Sequence, residues 1–464
     1  MKPPLSLLTL CLLLSACGTP AQRPDAGIEP PVSWQSPHTQ DAARSNPQWW
    51  TQFGSPQLDQ LVEQARVGSF DLAAAIARVR QAQAETVVAG GSQLPEVKAG
   101  LNANRQKLLR GSGYSQLDAD SDNSAVDYFN ANLSASYEID FWGGQRASRD
   151  SAQFALQASQ FDQATVELTL LSSVASGYAQ TLSLREQSRI AELNLANAQN
   201  VLKLVQTRFD SGSATALELA QQKSLVAAQQ RQLPLVQQQA QDASISLAAL
   251  LGRPVQALAL GQEHFDQLSW PTIGAGLPSE LISRRPDIAR AEAQLAAAQA
   301  DVTVARAAML PTVTLSAEIG SGADRASDIL RSPFYNLTAG LLAPVFNNGR
   351  LGAERDKATA RQEELLETYR GAIINGFADV EKALNSIRGL DEQRQWQGEE
   401  LKQAQTAFDI AQRRYQAGAE GLLTVLETQR TLYAAQDLNV QLRLSRLQAS
   451  IALYKALGGG WQVL

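Results

Sequence analysis

Apolar positions recur at helical spacing along most of the chain and switch to strict alternation in a few short stretches. From about Gln145 to Phe209, the positions Phe154, Ala158, Phe161, Thr165, Leu168, Ser172, Ala175, Ala179 and Leu182 step by four and three. That is a heptad-like seam with small residues in it, which predicts one very long helix packed closely on others. A second such helix is predicted from about Leu351 to Tyr415, with Tyr369, Ile373, Phe377, Val380, Leu384 and Ile387 along one face. Its return helix carries Val440, Leu444, Leu447, Ile451 and Tyr454 at the same rhythm. At about 1.5 Å per residue each long helix reaches roughly 100 Å, a length for which a compact globular domain has no use. Gly212 and Gly418 stand where the long helices must reverse, as expected of C-caps with positive φ. Pro234 is predicted to kink the first return helix, whereas the second has Val440 at the matching offset.

The chain contains itself twice. An Ala-rich helix ending at Gln93-Leu94-Pro95 is answered by one ending at Met309-Leu310-Pro311. Phe141-Trp142-Gly143-Gly144 is echoed by Phe346-Asn347-Asn348-Gly349, and Leu250-Leu251-Gly252 by Ala456-Leu457-Gly458. Arg208-Phe209-Asp210-Ser211-Gly212 is echoed by Arg414-Tyr415-Gln416-Ala417-Gly418, at an offset of about 206 residues. Each copy orders its elements as helix, strand, loop, strand, very long helix, Gly turn, helix.

Alternation marks the strands. Phe129, Ala131, Leu133, Ala135, Tyr137 and Ile139 interleave with polar residues, as do Val313, Leu315, Ala317 and Ile319; weaker copies are Val97 to Asn104 and Tyr335 to Leu341. A soluble half-buried sheet alternates in the same way. The first run is long enough to cross a bilayer as a tilted strand, at about ten residues. Aromatic residues, among them Tyr128, Trp142, Phe334 and Phe346, gather near the strand ends as interfacial residues do. The intervening loops, Leu108 to Ala125 and Ser321 to Pro333, hold Gly, Ser and Asp. Four strands cannot close a barrel, and open edges are not tolerated in lipid, so the barrel must be shared between chains. Two chains give a barrel whose interior side chains fill, whereas three give one wide enough for a pore.

The N-terminus supports an envelope location. Lys2 precedes an apolar run, Leu5 to Leu14, that is too short to span a bilayer and reads as a secretory signal. Leu14-Ser15-Ala16-Cys17 matches the bacterial lipobox, in which the cysteine is diacylated and becomes the mature N-terminus; Gly18 at the next position favours sorting to the outer membrane. The remaining cysteine, Cys11, lies inside the signal, so no disulfide or thiolate metal site is expected in the mature chain. The two histidines, His38 and His264, are far apart, which argues against zinc or His-based hydrolase chemistry. The net charge of −6 argues against a nucleic-acid partner. No nucleotide-binding loop appears, and no two carboxylates stand out as a paired acid and base. Catalytic residues, metals and cofactors are therefore all expected to be absent.

With these features in place, the chain resembles the TolC-type outer membrane factor family, in its lipoprotein branch of OprM and NodT relatives. The likeness is carried by Trp49-Trp50-Thr51-Gln52-Phe53 ahead of Leu58 and Leu61, and by Arg284-Arg285-Pro286-Asp287-Ile288 with Ala291, Glu292 and Leu295. The Leu-Pro breaks before strands and the Arg-aromatic-x-x-Gly tips add to it. The resemblance implies a homotrimer with a long α-helical barrel and a transmembrane β-barrel of four strands per chain. It implies a passive exit duct of a tripartite efflux or secretion system, carrying drugs, siderophores or other small molecules. Partners would be a periplasmic adaptor protein, an inner-membrane pump (the proton-driven RND type favoured over the ABC type) and outer-membrane lipid.

The division expected is 1–16 signal peptide, 17–60 lipidated segment and equatorial belt, 61–254 first repeat, 255–284 equatorial linker, 285–457 second repeat and 458–464 tail. The family's gate pattern falls on Leu423, Glu427 and Arg430, with Glu427 where OprM-like chains have Asp. The first repeat has Leu217, Gln221 and Ser224 there, so both charges are missing. Arg208, Phe209, Gly212, Arg414, Tyr415 and Gly418 are the expected tip and adaptor-docking residues, with Arg414 and Tyr415 matching a pair that latches the hairpins. Arg285-Pro286-Asp287 reads as a helix start with Pro near N1. A coiled-coil structural lipoprotein would explain the lipobox and helices but not the strand hairpins; an envelope hydrolase is the other alternative.

Overall fold

The computed structural model describes residues 26–36, 47–107 and 125–461. The signal and Cys17, together with His38 and most of the loop from Leu108 to Ala125, lie outside the described residues. The elements run α1 (Pro56–Gly68), α2 (Phe70–Gly91), β1 (Glu96–Gln106), β2 (Val126–Ile139), α3 (Gly144–Asp210) and α4 (Ala216–Leu250). After short 3-10 turns follow α5 (Pro278–Arg284), α6 (Pro286–Ala307), β3 (Thr312–Ala323), β4 (Pro333–Leu342), α7 (Arg350–Gln416) and α8 (Leu422–Ala456). The long helices α3 and α7 have 67 residues each and the return helices α4 and α8 have 35 each, so the duplication read from the sequence is carried into the fold.

α4 is one helix that contains Pro234, so the proline does not end it. One detail departs from expectation. β3 continues to Ala323, past the Ser321 at which a loop was expected, because Ser321 pairs with Ala131 on one side and Pro333 on the other.

The chain divides into two compact units. One comprises Val79–Ala158 and Ala291–Tyr369. It holds a four-stranded antiparallel sheet in the order β1-β2-β3-β4. β2 pairs with β3, so the two copies of the repeat meet at the centre of the sheet, while β1 and β4 each keep one unpaired edge. In this register Val97, Ala135, Ala317 and Leu337 share one face; Lys98, Ser134, Glu318 and Asn336 share the other. Each strand thus presents one apolar and one polar face.

The other unit comprises Gly27–Arg78, Ser159–Arg290 and Arg370–Leu464. Its largest core joins Trp49, Trp50 and Phe53 to Leu58 and Leu61 of α1, the α3 seam around Tyr178, and Leu447, Ile451 and Tyr454 of α8. Trp49 stacks on Tyr454 with ring centroids 5.1 Å apart. The seam positions Ser172, Ala175, Ala179 and Leu182 are buried, as the four-three spacing requires. No helix among the described residues is long and apolar enough to cross a membrane.

Candidate functional site: the helical hairpin tips

Two α-hairpins, α3–α4 and α7–α8, turn within the second unit. Each long helix ends in the same hydrogen-bond pattern. At the first tip, Gly212 N–H donates to the Phe209 carbonyl and Ser213 N–H to the Arg208 carbonyl; at the second, Gly418 donates to Tyr415 and Ala419 to Arg414. Gly212 at φ 74° and Gly418 at φ 75° supply the left-handed residue this reversal needs.

The restarts differ. α4 opens with a capping box, in which the Glu218 N–H donates to the Thr215 hydroxyl and the Thr215 N–H to the Glu218 carboxylate. α8 opens at Gly421 with no side-chain cap. There Glu420 takes over, accepting from the Gly421 N–H and the Thr424 hydroxyl, while the Arg414 guanidinium lies 3.6 Å from its carboxylate.

The tips are joined across the hairpins. Arg208 donates to the Tyr415 carbonyl at 2.7 Å, and its guanidinium lies over the Tyr415 ring at 4.6 Å from the centroid. Deeper down, the Tyr433 hydroxyl donates to the Asn194 carbonyl at 2.9 Å and accepts from Gln429. Burial holds the Tyr433 hydroxyl neutral, pushing it up to about 12. Burial also raises Tyr415, against the lowering effect of Arg208. Around these contacts Val201, Val205, Leu219, Phe408, Leu422 and Val425 form one apolar core.

Tyr415 was expected among the docking residues, but only 2% of it is exposed, because the Arg208 contact and this core cover it. It serves the hairpin contact, and no partner can reach its ring in this conformation. The arginine on Tyr415 is Arg208, while Arg414 is engaged within its own turn. Phe209 stays partly exposed.

Leu423, Glu427 and Arg430 share one face of α8, and all three are exposed in the single chain. Leu423 is 61% exposed, and its counterpart in the first repeat, Leu217, is 67% exposed. Side-chain hydrogen bonds and ion pairs to Glu427 and Arg430 are absent among the described residues.

Sequence reasoning missed the polar framework away from the tips. Trp270, in the linker, packs under three arginines: Arg394 at 4.0 Å, Arg443 at 4.8 Å and Arg446 at 5.9 Å from its ring centroid. Arg443 donates to the carbonyls of Phe265, Asp266 and Leu268, so it pins the linker onto α8. Buried Tyr178 donates to Glu263 at 2.7 Å, and Ser55 donates to the same carboxylate. Residues this far apart in sequence leave no local signal of their meeting.

Arg285 and Asp287 do start a helix, with Pro286 at its first position, and they do more. The Arg285 guanidinium binds Asp287, Asp379 and the Ala456 carbonyl. Burial alone would lower Arg285; its two carboxylate partners outweigh that and hold it above its ordinary value. Burial likewise works to raise Asp287, and the bonds and charge of Arg285 hold it below the usual carboxylate range.

Two repeats, a four-stranded sheet with open edges and paired hairpins with latched tips agree with the comparisons to known proteins. The model of the family described as "Outer membrane efflux protein" matches residues 61–253 and 277–459. The chain belongs to the outer membrane efflux protein family. It is 64% identical over 460 residues to the pyoverdine export outer membrane protein OpmQ of Pseudomonas aeruginosa, covering 99% of this chain and 97% of that one. The cation efflux system protein CusC of Escherichia coli is 29% identical, covering 98% of this chain and all of its own. Among solved structures, the outer-membrane channel OprN superposes with a TM-score of 0.87 at 26% identity, over 96% of this chain and 100% of that one. The fold is that of these outer-membrane channels, and the protein is an outer membrane efflux channel.

Proposed function

We propose that three copies of this chain close into a passive duct that carries a siderophore of the pyoverdine type out through the outer membrane. The observation that carries it is the four-stranded sheet with one apolar and one polar face and two unpaired edges. Such a sheet survives in lipid only when identical neighbours seal it into a barrel, apolar side outward. The 64% identity to a pyoverdine export protein supports the cargo class. Cys17 is the lipid-attachment residue, and the chain is anchored in the outer membrane with most of its helical part in the periplasm. The repeats 61–254 and 285–457 are the working halves, joined by the linker 255–284.

The tips form the gate. Three copies of Glu427 around an axis repel one another and favour cations, while Arg430, one helical turn away, offsets them or ties neighbouring hairpins. Leu423 narrows the same ring with an apolar side chain. A periplasmic adaptor docks on Arg208, Phe209, Gly212, Arg414 and Gly418 and stabilises the open arrangement of the hairpins, to which it binds more tightly. The energy comes from an inner-membrane pump, the RND type being favoured over the ABC type, and the chain itself catalyses nothing.

Replacing Glu427 and Arg430 together by alanine raises leak conductance in planar bilayers on this reading. An unchanged conductance removes the gate assignment. Loss of the chain abolishes siderophore release into the medium, and a normal yield in its absence removes the cargo assignment.

A further inference from the structure

The polar face of the sheet carries an arrangement that neither the gate nor the sealing of the barrel requires. β3 contributes Gly320 and Gly322 to that face, and β1 contributes Gly100. The register sets Gly100 and Gly320 on either side of Asn132, and Phe334 opposite Gly320. Side chains from the neighbouring strands lie across these three gaps. A methyl group at Gly322 would stand 2.5 Å from the Tyr128 hydroxyl oxygen and 2.9 Å from its Cζ. One at Gly100 would stand 2.4 Å from Asn132 Oδ1, and one at Gly320 would stand 2.9 Å from Phe334 Cζ. All of these are well inside the roughly 3.5 Å at which non-bonded atoms rest.

The side chains are thus folded down onto the wall. Two rings, one from each flanking strand, lean over the glycines of β3. Asn132 is tied along the wall by its amide, which donates to Glu318 at 2.6 Å. The patch lies at the end of the sheet away from the helices, since Asn104 pairs with Tyr128 near the far ends of β1 and β2.

We propose that Gly100, Gly320 and Gly322 set the bore of the outer half of the barrel, by letting Asn132, Phe334 and Tyr128 lie flat, so that this half passes bulky solutes. The inference rests on the reading that three chains close a barrel with the polar face inward. A side chain at any of the three glycines lifts its neighbour into the lumen, and threefold symmetry repeats the obstruction around the axis. This size limit is separate from the tip gate and acts on the last stretch of the route.

The test uses a single reporter cysteine, Ser136→Cys, on the same polar face but nearer the helices, where Ser136 pairs with Glu96 and Ser316. The sequence offers a clean background, because its two cysteines, Cys11 and Cys17, are removed or acylated in the mature chain on the same reading. Intact cells are treated from outside with a small charged maleimide and with a polyethylene-glycol maleimide. Both label the reporter in the parent chain. Gly322→Ala and Gly100→Ala are the informative variants, because their new methyl meets only side-chain atoms, whereas at Gly320 it also presses the Ala131 carbonyl oxygen at 2.9 Å.

Each variant is expected to slow the large reagent at least about fivefold while the small one changes little. Adding Tyr128→Ala to Gly322→Ala restores the large reagent. An unchanged rate for the large reagent in both glycine variants, in material that still forms trimers, overturns the proposal. A parent reporter that neither reagent labels overturns the channel reading instead. Should Gly322→Ala fail to assemble, Gly100→Ala carries the same comparison.

Discussion

Arg208→Ala is the sharpest probe of how the hairpins are held together. The side chain makes two contacts across the hairpins, a hydrogen bond to the Tyr415 carbonyl and a cation–π contact with its ring. A hydrogen bond from a charged donor contributes about 1.5–3 kcal/mol and a cation–π contact about 0.5–1 kcal/mol at an exposed site. Arg208 is half-buried, so the lower ends apply, and the pair contributes about 2 kcal/mol. That is roughly a 30-fold shift toward separated tips, at about 1.4 kcal/mol per tenfold. The Tyr415 carbonyl also accepts from the Gly418 N–H, so the same group caps the turn and receives the latch. Amide hydrogen exchange by mass spectrometry reads the result. Peptides covering 209–215 and 415–421 are expected to exchange about 30-fold faster in the variant, while those around Trp49 stay at the parent rate. Arg208→Lys should recover part of the protection, because it keeps a donor and a charge but loses the planar fork. Tip exchange at the parent rate in Arg208→Ala would refute the reasoning, since the hairpins would then be held by the apolar core alone.

Three further outcomes follow from the same structure. Trp49→Ala removes a ring that is 1% exposed and stacked on Tyr454; about 3–5 kcal/mol is lost. A urea titration should show a clearly lower midpoint, with Trp49→Phe in between. Asp287 has a folded pKa below its unfolded value, so the stability it contributes is present above about pH 4 and drains away as the pH falls through the folded value. Thermal melts of Asp287→Asn should therefore be less stable than the parent at neutral pH and converge with it in acid; parallel curves would contradict the Arg285 assignment. Tyr433→Phe leaves the buried Gln429 amide without its acceptor, at a cost of about 1–3 kcal/mol. It should also remove the loss of stability expected from pH 10 toward about 12, because the neutral phenol is the form the fold keeps.

Much of the architecture was legible in the order of residues. The four-three seam marked α3 to within a residue at each end, because a helix 67 residues long repeats its contact pattern many times and averages out local exceptions. Gly212 and Gly418 marked the reversals because a positive φ leaves few other residues to choose from. The alternation from Phe129 to Ile139 marked β2, and the polar and apolar sets stayed on opposite faces because the side-chain period of a strand is two. These are local rules, and a local rule writes itself into a local stretch.

What the tertiary structure decided are the meetings of residues far apart. Nothing near Arg208 says that its guanidinium will lie on Tyr415, and the adjacent Arg414 was the obvious partner until the fold turned it toward Glu420. Trp270 under three arginines, Tyr178 on Glu263, and Tyr128 over Gly322 are likewise products of packing. Each depends on which helix or strand lies alongside, and that is settled by the summed burial of a whole face. The sequence by itself determined the long helices, their reversals and their duplication, whereas the three-dimensional arrangement determined where β3 ends and which side chains share a site.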